Sequence, residues 1–307
     1  MQIQIRKKRS SPQPYGENRF WGLLLILPWL LGLLFFKLIP ILSSLTFSFT
    51  DFYLLEPGKT QFVGLENYIA IFNDPDSWKV LGQTLSLALI IIPIQVGAAI
   101  SMATLLSNPK LRMANTLRTL FFIPSILPAL SAALMWQGFL NPSSGWLNQL
   151  LLNPLGLGSL NHLNARSAGL PLFIITSLWS IGPGFLIMLG SMQSIPPEIH
   201  EAARIDGAGR LRQFFSITLP LISPATFFTI ILNLTGLLGG VVLLDHGNTY
   251  NNSLSSYDAY INFLLFSMFR LGRASSAAWI FFVFVMLIVL TLFVTSKYWV
   301  YFPDREN

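Results

Sequence analysis

Apolar side chains are gathered into six runs, residues 20–42, 80–106, 119–140, 169–192, 217–244 and 276–298, each long enough to cross the hydrocarbon of a bilayer as a helix. A water-soluble core has no room for them, since 53% of the chain is hydrophobic and only 10% is charged. Inside a bilayer every backbone N–H and C=O must find a partner within its own run, which a helix provides. The sequence therefore predicts an all-α integral membrane protein with six transmembrane helices.

Charge decides which way the runs face. Thirteen of the nineteen Lys and Arg fall in the N-terminal tail, the second and fourth loops and the C-terminal end, and five fall in the other loops. Positive charge collects on the cytoplasmic side, so both termini are expected there. Residues 1–19, with Arg6, Lys7, Lys8, Arg9 and Arg19, read as a disordered basic tail. Residues 20–302 form the six-span domain and 303–307 a short inner tail. The run from Phe20 has no small-x-small cleavage site, which makes it a signal anchor and not a cleaved leader. Lys37, near its far end, is placed to snorkel to the interface. This sidedness accounts for the net charge of +6, so no nucleic-acid partner is inferred.

One stretch between the fourth and fifth runs, PPEIHEAARIDGAGRLRQFFSITLPLISP (196–224), cannot be membrane. Glu198, Glu201, Arg204, Asp206, Arg210 and Arg212 would together cost roughly 15 kcal/mol at the centre of a span. Pro197 suits a first helical turn, Glu198 and Glu201 follow where the helix dipole favours acids, and Ile199, Ala202 and Ala203 share a face. Gly207 and Gly209 then break the helix, and Asp206 is placed to cap a second one through Leu211, Phe214 and Phe215. The expectation is helix, glycine hinge, helix. Pro220 and Pro224 mark the return into the bilayer.

This stretch closely resembles the "EAA" loop of the membrane subunits of bacterial binding-protein-dependent ABC importers. Glu201, Ala202, Ala203, Asp206, Gly207, Ala208 and the later Pro220 carry the resemblance. In that family the loop (here 196–216) is a coupling helix that docks into a cleft of an ATPase subunit. The resemblance implies that role for these residues, and with it the type I ABC importer permease fold.

Further segments resemble the same family, over most of residues 20–302. PILSSLTFSFTD, at the end of the first run, looks like the first-subunit type of the maltose and glycerol-phosphate permeases, and GLENYIAIFNDPDSW (64–78) like their short outer helix. FFIPSILPALSAALMW, with Pro124, Pro128 and Trp136, is similar to the third helix. GWLN (145–148) and AYINFLLFSMFRLGRASSAAW, before the last run, are also family-like. In the fourth run Gly182-Pro183-Gly184 predicts a kink. In the fifth, Gly236, Gly239 and Gly240 are small enough for close packing. One segment departs: where the family has a glycine-rich turn after the fifth helix, this chain has LLDHGNTYNNS (243–253).

Enzymatic signatures are lacking, so no catalytic residue and no metal site is assigned. The absence of cysteine excludes disulfides, thiol catalysis and Cys-ligated metal. His200-Glu201 begins like a zinc-protease HExxH, but Arg204 stands where the second His is needed. His162 and His246 have no neighbouring ligands in sequence. Gly58-Lys59-Thr60 ends like a P-loop, but Tyr53 replaces the leading glycine.

Polar and aromatic residues at mid-membrane depth tend to face a bundle interior or cavity, which singles out Gln95, Ser131, Trp179 and Asn233 as candidates for a translocation path. Neutral polar groups and ring faces suit a sugar or related polyol. The resemblance implies a second permease subunit, two copies of an ATPase that bind ATP and Mg in place of this chain, an extracytoplasmic solute-binding protein and a location in the bacterial inner membrane, in contact with lipid. The rival expectation is an ion-coupled secondary transporter working alone, which would want buried carboxylates in the spans. The runs contain almost none.

Overall fold

The computed structural model describes residues 17–107, 111–141, 144–156, 174–238 and 256–301. Residues 1–16 of the basic tail, His162, His246, Gly239, Gly240 and the 243–253 segment lie outside the described residues, while the last three residues of that tail, Arg19 among them, already belong to a helix. Within them the chain is helical, and the strand-like pairings are two isolated bridges, Thr50 with Phe62 and Tyr53 with Arg270.

Three spans are unbroken. The first joins α1 (Glu17–Leu33) through a widened turn, Leu34–Leu38, to α2 (Ile39–Ser48). A short helix, α3 (Glu66–Phe72), leads to the second span, α4 (Pro75–Leu106). The Asp74 carboxylate accepts the Asp76 N–H at 3.0 Å and Pro75 occupies the first turn, so α4 starts at Pro75 and not at residue 80. The sixth span is α14 (Leu271–Trp299). These helices run past the apolar limits predicted for them, because hydropathy marks only the part in hydrocarbon.

The other three spans are broken, and the breaks are sharper than the sequence suggests. In the third, α5 (Ala114–Phe122) tightens into a 3-10 turn, Ile123–Ile126, and then meets α6 (Ala129–Phe139) at a bend of 97°. Pro128 has no N–H for the Pro124 carbonyl, and Leu127 bonds that carbonyl instead at 3.2 Å before going extended. In the fourth, α7 (residues 174–179) stops at a break over Ser180 and Ile181, and Gly182-Pro183-Gly184, where the kink is expected, forms the first turn of α8 (Gly182–Gln193). The loop helices α9 (Pro197–Ile205) and α10 (Arg210–Gln213) follow. From α10 a widened turn, Phe214–Thr218, and α11 (Leu219–Leu221) lead to α12 (Ser223–Leu238) across a 63° bend. Pro220 and Pro224 flank that bend, repeating the spacing of Pro124 and Pro128.

Packing is concentrated at the two ends of the bundle. At one, α13 (Tyr257–Asn262) buries Tyr257 and Tyr260 against Ile71, Leu81, Phe281 and Val285. Tyr257 N–H donates to Thr84 Oγ1 at 2.8 Å, and the Tyr257 and Ser77 hydroxyls lie 3.3 Å apart. Burial raises the Tyr257 phenol above its usual value despite the opposing Ser77 bond, so it stays protonated. Next to it, burial also raises the Asp258 carboxyl, against the opposing bond from Asn262. Asn67 Nδ2 donates to the carbonyls of Ser48 and Thr50, and Leu54 N–H to Phe269 O at 2.9 Å. Gly272 is pressed so closely to this strap that a Cβ would overlap the Thr50 carbonyl oxygen. Spans one, two and six are thereby laced together.

At the other end Phe185, Met188 and Leu189 of α8 pack on Ala99, Ala103 and Leu106 of α4 and on Ile222. The two alanines, four apart, let the helices approach, and in a bilayer the gain is close packing, not dehydration. Arg118 Nη2 donates to the Leu106 carbonyl at 2.6 Å, satisfying an acceptor that the end of α4 leaves open. Span one adds little to either core. Its α2 half packs on α14, with Trp279 Nε1 donating to Ser44 Oγ at 3.2 Å, whereas no residue of α1 from Gly22 onward is buried.

Candidate functional site

The glycine hinge of the charged loop is a closed turn. Asp206 N–H bonds Ala202 O at 3.0 Å, Gly207 N–H bonds Arg204 O at 3.1 Å, and Ala208 N–H reaches back to Ala203 O at 2.9 Å. That pattern is a Schellman closure, and it needs a left-handed residue next to the cap. Gly207, at φ +78°, supplies it. Asp206, expected to cap the second helix, is instead the C-terminal cap of the first. Its backbone, at φ −72° and ψ 3°, stays near helical, and Gly209 takes the extended conformation before α10. The Gln213 amide closes the far side by donating to Ala208 O at 2.7 Å.

This elbow holds apolar side chains out from the body. Ile205 is 87% exposed, Leu211 76% and Phe215 61%. Ala203 is buried, Ala208 half-buried, and Glu201, Ala202, Asp206 and Gly207 are exposed. The Arg204 to Glu201 pair, 4.0 Å apart with both side chains 65% exposed, holds little energy. Neither charge is needed to keep the elbow folded.

The second candidate region lies where spans two, three and four meet. Gln95 Nε2 donates to the Ser177 carbonyl at 3.2 Å, tying α4 to the last turn before the break in span four. Two residues on, Trp179 meets Trp136 of α6 edge to face, ring centres 5.5 Å apart at 90°. The Trp136 indole N–H is buried without a hydrogen-bond partner. An unsatisfied buried donor costs about 1–3 kcal/mol, and a hydroxyl oxygen brought within hydrogen-bond reach would satisfy it. Gln95 and Trp179 are thus brought together. Asn233 is half-buried on α12 beside Leu234, which packs with Ala88, Ile92 and Val96 of α4. Ser131 is exposed on α6 and is not drawn into the group. Trp136, marked in the sequence only as a family-like residue of the third helix, and Ser177, which nothing in the sequence marks, join it, because the contacts that matter are made between spans.

The family model for the binding-protein-dependent transport system inner membrane component matches residues 95–301. The chain belongs to that family. This permease is 34% identical over 312 residues to YesP, a probable ABC transporter permease protein of Bacillus subtilis (strain 168), covering 99% of this chain and 97% of that one. It is 33% identical over 228 residues to UgpA, the sn-glycerol-3-phosphate transport system permease protein of Yersinia enterocolitica, covering 73% and 75% of the two chains. Its fold matches a chain in the crystal structure of a bacterial alginate ABC transporter in complex with a pentasaccharide-bound periplasmic protein, at a TM-score of 0.76 and 21% identity, over 92% of this permease and 95% of that chain. The all-α type I permease fold expected from the sequence is therefore borne out, and the secondary-transporter alternative is set aside.

Proposed function

We propose that this permease forms one half of the translocation path of an ATP-driven importer for a carbohydrate or related polyol, and that residues 196–216 are its handle for the ATPase. A second permease, an ATPase pair holding ATP and Mg, and an extracytoplasmic binding protein complete the assembly. The end bearing Glu201 faces the cytoplasm together with both termini, and the Tyr260 end faces outward, following the distribution of Lys and Arg. The observation that carries this reading is the elbow: a closed turn at Gly207 that projects Ile205, Leu211 and Phe215 into water. Exposed apolar side chains on a rigid support are what a docking helix presents to a groove.

Solute passes beside Gln95, Trp136 and Trp179, where ring faces and neutral hydrogen-bonding groups suit hydroxyl-bearing molecules. The sn-glycerol 3-phosphate transported through UgpA and the alginate taken by the structurally similar transporter support this class. ATP-driven closure of the ATPases pulls on the elbow, and the broken spans rearrange between inward-open and outward-open states.

The test is purification of the tagged complex, followed by ATP hydrolysis and uptake in proteoliposomes against a panel of oligosaccharides and sn-glycerol 3-phosphate. Glu201→Lys and Gly207→Val are expected to insert normally and to lose ATP-linked uptake. Native association and native uptake in both would refute the coupling role. Trp179→Ala should weaken uptake of the active solute while ATPase association persists.

A further inference from the structure

Two prolines four residues apart leave a carbonyl without its helical donor. Pro224 has no N–H, so the Pro220 carbonyl loses the bond that residue 224 would otherwise make. The side chain between them fills the gap: Ser223 Oγ donates to Pro220 O at 2.6 Å. The same oxygen accepts the Tyr301 N–H at 2.8 Å, just beyond the end of α14. Ser223 is only 7% exposed, and Ile222 beside it is fully buried. One hydroxyl therefore bridges the 63° bend of span five and the end of span six.

Neighbouring contacts give this bridge a firm seat. Val300 is 6% exposed and its N–H still bonds Ser296 O, so the backbone reaches Ser223 from an anchored position. Phe227, one turn into α12, packs edge on against Phe293 at 5.0 Å and Trp299 at 5.7 Å. The comparable proline pair in span three, Pro124 and Pro128, is closed by a backbone N–H from Leu127, and among the described residues that carbonyl makes no such tie to another span. The serine at this elbow does something the bend alone does not require.

We propose that Ser223 is a positioning residue for coupled transport: its hydroxyl is the joint through which displacement of the 196–216 loop reaches span six, so that spans five and six move together. This rests on the coupling role of the loop. The chain has no cysteine, so introduced pairs report cleanly. The complete complex, its other subunits cysteine-free, is placed in nanodiscs and spin-labelled at Leu105 with Arg212, or at Leu105 with Tyr298, all three sites being exposed positions on α4, α10 and α14. Distances are measured with and without ATP plus vanadate.

In the native chain both distances should shift. In Ser223→Ala and in Tyr301→Pro, which removes the donor N–H and is compared with Tyr301→Ala, which loses the same ring but keeps the N–H, the Leu105–Arg212 shift should persist and the Leu105–Tyr298 shift should be largely lost. Ser223→Thr, which keeps the hydroxyl, should restore it. A native-sized span-six shift in both Ser223→Ala and Tyr301→Pro overturns the proposal, as does loss of the shift in Ser223→Thr. If Ser223→Ala fails to assemble, Tyr301→Pro decides. Failure of the coupling reading looks different: the Leu105–Arg212 distance would then stay fixed in the native chain, and the joint would fall with it.

Discussion

The Tyr260 phenol donates to Asp74 Oδ2 at 2.6 Å, joining the approach to span six with the residue that caps span two. A hydrogen bond to a charged acceptor contributes about 1.5–3 kcal/mol, and the partial exposure of Asp74 places this one near the lower end. Tyr260→Phe keeps the ring against Tyr257, 5.6 Å away, and removes only the hydroxyl. It should lower the thermal midpoint of the purified complex while leaving ATPase association intact.

Gly272→Ala should be far more damaging than its size suggests. The added methyl meets the Thr50 carbonyl, a backbone atom held by Asn67, and overpacking of that kind costs about 1–3 kcal/mol or more. Gly97→Ala in span two is the control: nothing lies within 4 Å of its Cβ position, and alanine favours a helix by about 0.5–1 kcal/mol. Opposite signs in a thermal unfolding experiment are expected.

At Gly207 the surroundings are open, so substitution is penalised by backbone conformation and not by contact. A left-handed residue with a side chain costs about 1–2 kcal/mol, least for Asn. Gly207→Asn should retain more ATP-linked uptake than Gly207→Ala, and Gly207→Val should retain the least.

Asp258 supplies a pH-dependent contribution of known sign. Burial raises its carboxyl above the unfolded value, so the folded state holds that proton more tightly, and this site makes stability fall as pH rises through the window between the two values. Asp258→Asn mimics the neutral form and can still accept from Asn262. It should melt higher than the native chain at about pH 7, and the gap should close as the pH is lowered toward the ordinary carboxylate range.

Much of the fold is legible because hydrocarbon imposes it. Runs such as 276–298 have to be helices, and Gly207 has to interrupt the loop. What escaped was decided by geometry between residues. Asp206 has the chemistry of an N-terminal cap, yet the closure from Ala203 to Ala208 makes it the C-terminal cap of α9 and leaves Gly209 as the extended residue. Pro128 announces a break but not its 97°, which depends on Leu127 turning extended to clear the proline ring. Gln95 and Trp179 were found as polar and aromatic residues in apolar runs. The pairing of Gln95 with Ser177, and of Trp179 with the Trp136 of the family-like third helix, became visible only once spans two, three and four were laid side by side.

Span one enters the bilayer as a mast lashed to the hull only along its upper half. Trp279 and Ser44 hold that half, and from Gly22 to the end of α1 no side chain is buried against the described residues. Its position is therefore written partly outside this polypeptide, in whatever greasy neighbour stands beside it. A detergent that strips such neighbours away would unfasten the mast before it disturbed the rest of the vessel.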